Sequence, residues 1–309
     1  MHDGVARLRD NIMRVFLGNE QAVERVICCL LARGHLLLED VPGVGKTVLA
    51  MAIARSIDCR FNRVQLTPDM LPSDVIGVSI YDRDSGEFIL KKGPIFTNIL
   101  LADEINRTTP RTQTALLEAM NESQVSIDGR LHRLEEPFIV LATQNPYEFE
   151  GTYPLPENQL DRFLMRVSLG YPRAEDELRV LELRPAQFAL AGLSPVLTKD
   201  DVIRLQQDVD SVKMDRSLLE YVVELAAATR RHADVQIGLS PRGSLALSQA
   251  ARATALFRGR GYVVPEDIIE NIEGVVAHRV VLRSAIGAQA AARAAEVLKS
   301  IVMDLKSPA

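Results

Sequence analysis

Short apolar runs alternate with amphipathic segments along the first part of the chain, as far as about residue 171. Over residues 114–120, for example, Leu116, Leu117 and Met120 recur on one face of a predicted helix. Strands that alternate with helices predict a parallel sheet with helices on its faces. The predicted strands are residues 35–38, 61–66, 98–103, 138–145 and 165–169.

Two predicted β-hairpins interrupt this alternation. The stretch VSIDGRLHRL alternates apolar and polar positions around Asp128-Gly129, a dipeptide typical of a two-residue hairpin turn. The stretch VSIYDRDSGEFIL is predicted to turn near Asp84-Ser85-Gly86. A plain doubly wound sheet needs neither hairpin, so both are interpreted as insertions.

Beyond residue 171 the strand pattern stops and signals of helix starts take over. An alanine-rich segment over residues 285–305 predicts a helix at the end of the chain. We therefore predict an α/β domain over residues 1–171 and an all-α domain over residues 172–309. The start signals are Thr198 with Asp201 as a capping box, Ser240 before Pro241, and Pro265.

Composition indicates an ordinary globular protein with a substantial core, since 47% of the 309 residues are hydrophobic and 25% are charged. The formal net charge of -5 gives no global basic field for nucleic acid or anionic lipid. Cys28 and Cys29 are adjacent in an apolar run, which favours buried packing over a disulfide framework or zinc site. With no apolar signal core and no stretch long enough to span a bilayer, a cytoplasmic location is expected.

The stretch HLLLEDVPGVGKTVLAMAIA has the order strand, glycine-containing loop and helix that a phosphate-binding loop requires. Gly43 and Gly45 let successive backbone N–H groups point at one anion near a helix N-terminus. Lys46 would then reach the β- and γ-phosphates of a nucleotide, and Thr47 would hold Mg²⁺. The consensus glycine at the start of such loops is replaced here by Asp40.

Polar residues follow two further predicted strands. Asp103-Glu104 ends NILLADE at the carboxyl edge of the sheet, where Asp103 would orient the metal and Glu104 would activate a water. Asn145 ends FIVLATQN and would hold that water against the γ-phosphate. The alternatives are a solvated strand end for the acidic pair and the start of a turn for Asn145.

Two arginines are further candidates. Arg162 follows Asp161 directly, and an adjacent Asp-Arg pair is usually a surface ion pair, so a functional role is one of two interpretations. Arg242 lies in the first turn of a predicted helix, where the helix dipole disfavours a cation. An anion that shares this site would explain Arg242, and simple tolerance of a surface charge is the alternative.

Taken in order, these segments resemble the MoxR family of AAA+ ATPases over nearly the whole chain. The resemblance implies an AAA+ nucleotide-binding domain followed by a helical lid domain, with the two hairpins as the helix-2 insert and the pre-sensor hairpin. The segments that carry it are LLLEDVPGVGKT, ILLADEINR, TQTALLEAM, VLATQNP, LPENQLDRFLM and SPR.

Roles for individual residues follow from the resemblance. ATP and Mg²⁺ are the implied ligands, with Thr47 and Asp103 at the metal. The implied nucleotide contacts are Gly18, Gly43, Val44, Gly45, Lys46, Thr47, Val48 and Asp103. The implied catalytic residues are Glu104 with Asp103 as the Walker B pair, Asn145 as sensor 1, Arg242 as sensor 2, and Arg162 as the arginine finger.

An arginine finger serves the nucleotide of the neighbouring subunit, so the resemblance also implies a ring homo-oligomer, expected to be a hexamer. The expected partner is a client protein under maturation, often with a von Willebrand A domain and sometimes with metal or cofactor insertion. Arg107 and Arg111 fit either a subunit boundary or a solvated surface.

Three rival functions share parts of this pattern. A nucleic-acid motor would use Arg130, His132 and Arg133 on a hairpin, but the acidic charge and the 5% aromatic content argue against stable nucleic-acid binding. A metal-chelatase motor subunit would share every nucleotide residue. A scaffold that binds ATP without turnover would not need Glu104, Asn145 and Arg162.

Overall fold

The computed structural model describes residues 2–146, 151–183, 190, 192–284 and 288–306. In chain order the strands are β1 (Leu36–Glu39), β2 (Phe61–Gln65), β3 (Gly77–Tyr81), β4 (Phe88–Lys92), β5 (Ile99–Asp103), β6 (Gln124–Ile127), β7 (Arg130–Arg133), β8 (Ile139–Gln144), β9 (Met165–Val167), β10 (Val235–Ile237) and β11 (Val281–Leu282). The helices are α1 (Asp3–Met13), α2 (Glu20–Leu31), α3 (Lys46–Ser56), α4 (Pro72–Ile76), α5 (Pro110–Glu122), α6 (Glu157–Leu160), α7 (Ala174–Leu183), α8 (Lys199–Ser211), α9 (Arg216–Arg231), α10 (Pro241–Phe257), α11 (Pro265–Val276) and α12 (Ala288–Asp304).

A five-stranded parallel sheet in the order β2-β5-β8-β1-β9 forms the centre of the first part of the chain. All five strands coincide with predicted strands to within one to two residues at each end. Leu36 and Leu38 of β1 join the core on one face of the sheet, and Leu37 joins the core on the other face. This alternation, with helices on both faces, explains why the strands appear in the sequence as continuous apolar runs.

Both predicted hairpins are present, as β3 paired with β4 and β6 paired with β7. Asp128 and Gly129 both have positive φ angles, 50° and 75°, as a two-residue turn with the twist of a hairpin requires. The two hairpins lie side by side, since the ring of Phe96 beyond β4 contacts the ring of His132 in β7 at 6.5 Å between centroids.

After β9 the chain is mainly helical, and the predicted helix starts are confirmed. Thr198 and Asp201 form a reciprocal capping box at the start of α8, and Ser240 accepts a hydrogen bond from the Gly243 N–H before α10. The helix predicted over 285–305 is described as α12, and residues 285–287 lie outside the described residues. The short antiparallel pair β10–β11 was not predicted, because two or three residues are too few to show a pattern.

The helical part shares a hydrophobic core with the sheet. Buried residues of α2, such as Ile27 and Leu30, belong to one cluster with Leu205 of α8 and Leu247 of α10. The side chain of Gln206 donates to the carbonyl of Leu30 at 2.8 Å within this contact. The division at residue 171 stays a prediction. Among the described residues, no helix combines the length and the hydropathy needed to cross a membrane.

Candidate nucleotide site

The loop between β1 and α3 has the backbone geometry of an anion cradle. Gly43 and Gly45 have φ angles of 88° and 92°, a left-handed region in which a side chain would be strained. Gly45 is the N-cap of α3, and no side chain caps the first N–H groups of that helix. These N–H groups are therefore free to bind an anion at the positive end of the helix dipole.

Lys46 is the first residue of α3, and its Nζ donates to the carbonyl oxygen of Asp40 at 2.8 Å. Burial lowers the pKa of the Lys46 ammonium, and the carboxylates of Asp40, Asp103 and Glu104 oppose this shift. The structure therefore brings the lysine of the loop into the field of the acidic pair at the end of β5.

Asp103 is buried, and both oxygens of its carboxylate are engaged. Its Oδ1 accepts a hydrogen bond of 2.5 Å from the hydroxyl of Thr143, and its Oδ2 accepts one of 2.6 Å from Nη2 of Arg63. Thr143 lies in the adjacent strand β8, and Arg63 lies in the adjacent strand β2. The two neighbouring strands thus fix the orientation of the carboxylate.

Glu104 adopts a left-handed backbone conformation, with φ 57° and ψ 53°. Such a conformation costs about 1 kcal/mol or more in a residue other than glycine and clusters at functional sites. The Glu104 N–H donates to the Thr143 hydroxyl at 2.9 Å, which compensates part of this cost. Its carboxylate accepts from Nε2 of Gln65 at 2.6 Å and lies 3.1 Å from Nε of Arg107.

Asn145 follows β8, which lies between β1 and β5 in the sheet. Because carboxyl ends of parallel strands meet at one edge, the position of Asn145 in the chain lies between the phosphate loop and the acidic pair. Its contact with an attacking water stays a prediction. The preceding side chain is fixed separately, since Nε2 of Gln144 donates to Oε1 of Glu39 at 2.6 Å.

Asp40, whose role the sequence left open, fastens the start of the phosphate loop to the chain after β9. Its carboxylate accepts a hydrogen bond of 3.1 Å from the Ser168 hydroxyl and further bonds from the N–H groups of Leu169 and Gly170. The side chain is buried among these donors. The acid at this position is thus a structural tether beneath the loop.

Gly18 and Gly45 of the phosphate loop lie next to the same aromatic ring, that of Phe16. A Cβ atom at Gly18 would lie 2.8 Å from the buried ring of Phe16, and a Cβ atom at Gly45 would lie 3.3 Å from the same ring. Both glycines therefore flank one ring. A contact of Gly18 with a nucleotide base stays a prediction.

The two candidate arginines lie at the opposite edge of the sheet. Arg162 precedes β9, in a segment where the Leu164 N–H donates to the carbonyl of His35 at 2.8 Å, just before β1 begins. Arg242 of α10 donates to Oδ1 of Asn121 at 2.5 Å. Asn121 lies near the C-terminal end of α5, which is most of a helix length away from the carboxyl end of β5. A five-residue strand spans roughly 16 Å, so Arg242 is remote from the phosphate loop of its own subunit.

Three residues of the site were missed from the sequence: Arg63, Gln65 and Thr143. A hydroxyl two positions before Asn145 was a usable signal, because alternation along β8 puts both side chains on the same side of the strand. Nε of Arg107 lies 3.1 Å from a carboxylate oxygen of Glu104, whereas Arg111 is exposed at the start of α5. A place at a subunit boundary stays a prediction for both arginines.

The donor set fits a magnesium nucleotide. Thr47 and Asp103 offer a hydroxyl and a carboxylate, the oxygen ligands that Mg²⁺ prefers, and Lys46 with the uncapped N–H groups of α3 offers positive charge to phosphates. The open space at Gly43, where a Cβ would meet nothing within 4 Å, leaves the loop accessible to a ligand.

Comparison with known proteins agrees with this site. Residues 35–165 match the family model of the ATPase family associated with various cellular activities (AAA), and residues 227–301 match the AAA lid domain. The chain is 48% identical to the uncharacterized protein YeaC of Bacillus subtilis, over 100% of this chain and 98% of that protein. It is 44% identical to Chaperone MoxR1 of Mycobacterium tuberculosis, over 88% of this chain and 74% of that protein.

A solved structure extends the comparison to the whole fold. The crystal structure of a protein from Cytophaga hutchinsonii is 37% identical, covers 99% of this chain and 96% of its own, and superimposes with a TM-score of 0.89. The likeness therefore covers the sheet, the phosphate loop and the helical lid together. On these grounds the chain belongs to the MoxR family of AAA+ ATPases.

Proposed function

We propose that this protein hydrolyses ATP with Mg²⁺ at the site between the phosphate loop and the end of β5. The observation that carries the proposal is the convergence of Lys46 with Asp103 and Glu104, together with the left-handed backbone of Glu104. A conformation that costs energy is maintained here by a hydrogen bond from the Glu104 N–H to Thr143.

Each residue then has one task. Gly43, Gly45 and the first N–H groups of α3 bind the phosphates, and Lys46 leaves the Asp40 carbonyl to bind the terminal phosphate. Glu104 accepts a proton from the attacking water, and Asn145 holds that water in line. Thr47 and Asp103 hold Mg²⁺, which would supply positive charge to the phosphate oxygens when bound.

Arg162 and Arg242 act on the nucleotide of the neighbouring subunit. Support for this comes from their position at the edge of the sheet opposite the phosphate loop, since Arg242 contacts Asn121 and approaches Asp161 there. Hydrolysis then requires assembly, and we propose a hexameric ring. Residues 1–171 form the ATPase core and residues 172–309 the lid domain in this arrangement.

The work of the ring is the remodelling of a client protein in the cytoplasm, with a von Willebrand A domain as the proposed client class. The Mycobacterium tuberculosis relative is named as a chaperone. In this chain the β3–β4 hairpin exposes Ile80, Phe88 and Ile89, at 50%, 69% and 51% of their surface. Exposed apolar side chains close together favour contact with another protein.

Two experiments test the proposal. Glu104→Gln should retain a fluorescent ATP analogue while hydrolysis falls by about 100-fold or more, because the water loses its base. Mixing Arg162→Ala subunits with Glu104→Gln subunits should restore activity that neither variant has alone, since each supplies what the other lacks. Full turnover by Glu104→Gln would remove its assigned role, and a mixture without recovery would argue against action between subunits.

A further inference from the structure

The guanidinium of Arg279 connects the lid to the segment that carries Arg162. Arg279 ends the 3₁₀ turn Ala277–Arg279 after α11 and is only 7% exposed. Its five N–H groups meet five oxygen acceptors, so no donor is left over. The acceptors are Oδ1 of Asp161 at 2.7 Å, the carbonyls of Asp161 at 3.2 Å, Phe163 at 2.5 Å and Leu164 at 3.1 Å, and the carbonyl of Val275.

Three of these acceptors are backbone carbonyls on either side of Arg162. Asp161 precedes it, and Phe163 and Leu164 follow it. The backbone at Arg162 is therefore held at fixed distances from the lid by one side chain. A planar guanidinium imposes direction as well as distance on such bonds, which an ammonium group does not.

Arg279 also decides which arginine pairs with Asp161. The Asp161 carboxylate lies 2.7 Å from Nε of Arg279 and 3.9 Å from Nε of Arg242. Arg162, although adjacent in sequence, forms no ion pair with any residue in the described parts of the chain, and its buried Nη1 has no hydrogen-bond partner there. The expected surface pair between Arg162 and Asp161 is thus absent from the described structure.

The charges in this cluster do not cancel. The guanidinium groups of Arg242 and Arg279 lie near the single carboxylate of Asp161, and Arg162 follows Asp161 in the sequence, so these four side chains together carry a net charge of +2. Burial lowers the pKa of the Arg279 guanidinium and Asp161 opposes the shift, so Arg279 stays charged at neutral pH. An excess of positive charge beside a buried, unpaired N–H favours an anionic ligand from outside the subunit.

We propose that Arg279 is a positioning residue for the arginine finger: it fixes the backbone around Arg162 and occupies Asp161, so that the Arg162 guanidinium stays unpaired for the terminal phosphate of the neighbouring subunit's ATP. The inference rests on the proposed function, because it presupposes that Arg162 acts on a neighbouring nucleotide. It assigns to the lid an indirect part, through Arg162, in catalysis by the subunit next to it.

The first test is Arg279→Lys, with Arg279→Gln as a second variant. Lysine retains the charge but not the five directed N–H groups, so Arg162 should lose its alignment. We expect kcat to fall about 100-fold, as misplacement of a reacting group does, while the Kd of an ATP analogue changes by less than about two-fold. Arg283→Gln, an exposed lid arginine that donates to the Ala233 carbonyl, should leave both values unchanged.

A mixing experiment separates this inference from the proposed function. Arg279→Lys subunits retain Glu104, and Glu104→Gln subunits retain a correctly held Arg162, so the mixture should recover activity. The Arg162→Ala and Glu104→Gln mixture is the reference. Without recovery in the reference mixture, the proposed action between subunits fails. Recovery in the reference mixture but not with Arg279→Lys overturns the inference alone, as does loss of folding in both Arg279 variants.

A third variant tests the electrostatic half of the inference. In Arg279→Gln the Asp161 carboxylate is free to capture Arg162, so adding Asp161→Asn should raise kcat about two- to five-fold over the single variant, within the range for release of an ion pair. A purely structural role predicts a lower kcat in the double variant than in Arg279→Gln, because the second substitution removes one more interaction. Equal or lower kcat in the double variant would contradict the proposal.

Discussion

Nη2 of Arg63 lies 2.6 Å from Oδ2 of Asp103, while Oδ1 of the same carboxylate accepts the hydroxyl of Thr143 at 2.5 Å. The Asp103 side chain is 12% exposed, whereas that of Arg63 is 48% exposed and free to swing into solvent. A cation that binds Asp103 must therefore compete with a guanidinium already in place. Arg63 is in a position to tune how strongly this site binds a metal ion.

Replacement of Arg63 by Gln should lower the Mg²⁺ concentration needed for half-maximal binding of a fluorescent ATP analogue. Loss of the competing cation leaves the carboxylate with more attraction for Mg²⁺, and a pair this exposed is worth about 0.2–1 kcal/mol, or roughly a 1.4- to five-fold shift. The matched control is Arg60→Gln in the residue before β2, an exposed arginine that pairs with Glu135. A higher Mg²⁺ requirement in Arg63→Gln would contradict the expectation.

Thr143→Val should reduce kcat about 10- to 100-fold, because it keeps the shape of the side chain and removes its hydroxyl. The Glu104 N–H and the Asp103 carboxylate would each lose a partner, at a cost of about 1–3 kcal/mol for each buried group. Thr143→Ser retains the hydroxyl and should keep most of the activity. ATPase rates at saturating nucleotide measure both variants, and equal rates for Val and Ser would exclude a role for the hydroxyl.

Asp40→Ala should weaken ATP-analogue binding several-fold and lower the free energy of unfolding by about 1–3 kcal/mol. The substitution leaves the donors of Ser168, Leu169 and Gly170 without their acceptor and frees the start of the phosphate loop. Ser168→Ala removes one of these bonds and should show a smaller effect in fluorescence titration and urea unfolding. If Asp40→Ala matched wild type in both, the tether would be of no consequence.

Stability should fall as the pH is lowered from about 7.5 to 5, in part through His35. Its Nδ1 accepts from the Val140 N–H at 3.0 Å and its Nε2 lies 2.8 Å from the Met120 carbonyl, so the buried ring is held neutral. The pKa of His35 is lowered from 6.5 to about 4, chiefly by burial; the Met120 bond opposes this shift and the nearby charge of Arg242 adds to it.

The direction of this change in stability with pH follows from proton uptake by His35. Between these two pKa values the unfolded chain binds a proton that the folded chain does not, so the contribution of His35 to stability is complete above pH 6.5 and is lost toward pH 4. His35→Gln should therefore lose about 2 kcal/mol less than wild type between pH 7.5 and 5. Urea midpoints at the two pH values measure the difference, and parallel losses in both proteins would disprove it.

The sequence was most informative where burial or a turn constrains local composition. The run Leu36–Leu38 predicts β1 because a strand covered on both faces must be apolar throughout. Asp128-Gly129 predicts the turn of β6–β7 because both residues must take positive φ. In both cases the physical requirement is met within a few neighbouring residues, so it can be recognised without knowledge of the fold.

The contacts that complete the site were out of reach for the opposite reason. Thr143 meets Asp103 only because the register of β5 and β8 puts Ala102 opposite Ala142. Arg279 contacts Asp161 from a different part of the fold, and the sequence around either residue contains no pattern that predicts this ion pair. The place of Arg242 depends on how the lid docks, which is set by many apolar contacts with no local signature.

The separation of the phosphate loop from Arg162 and Arg242 across the sheet has a consequence for symmetry. A contact that joins one edge of a copy to the opposite edge of the next copy is heterologous. Two copies joined by such a contact still have one free surface of each kind. If Arg162 and Arg242 act on the neighbouring nucleotide, as proposed, an open chain of copies would always carry an incomplete site at one terminus. Only cyclic closure gives every copy both a donor and a recipient, and one defective copy in such a cycle would affect two neighbouring sites.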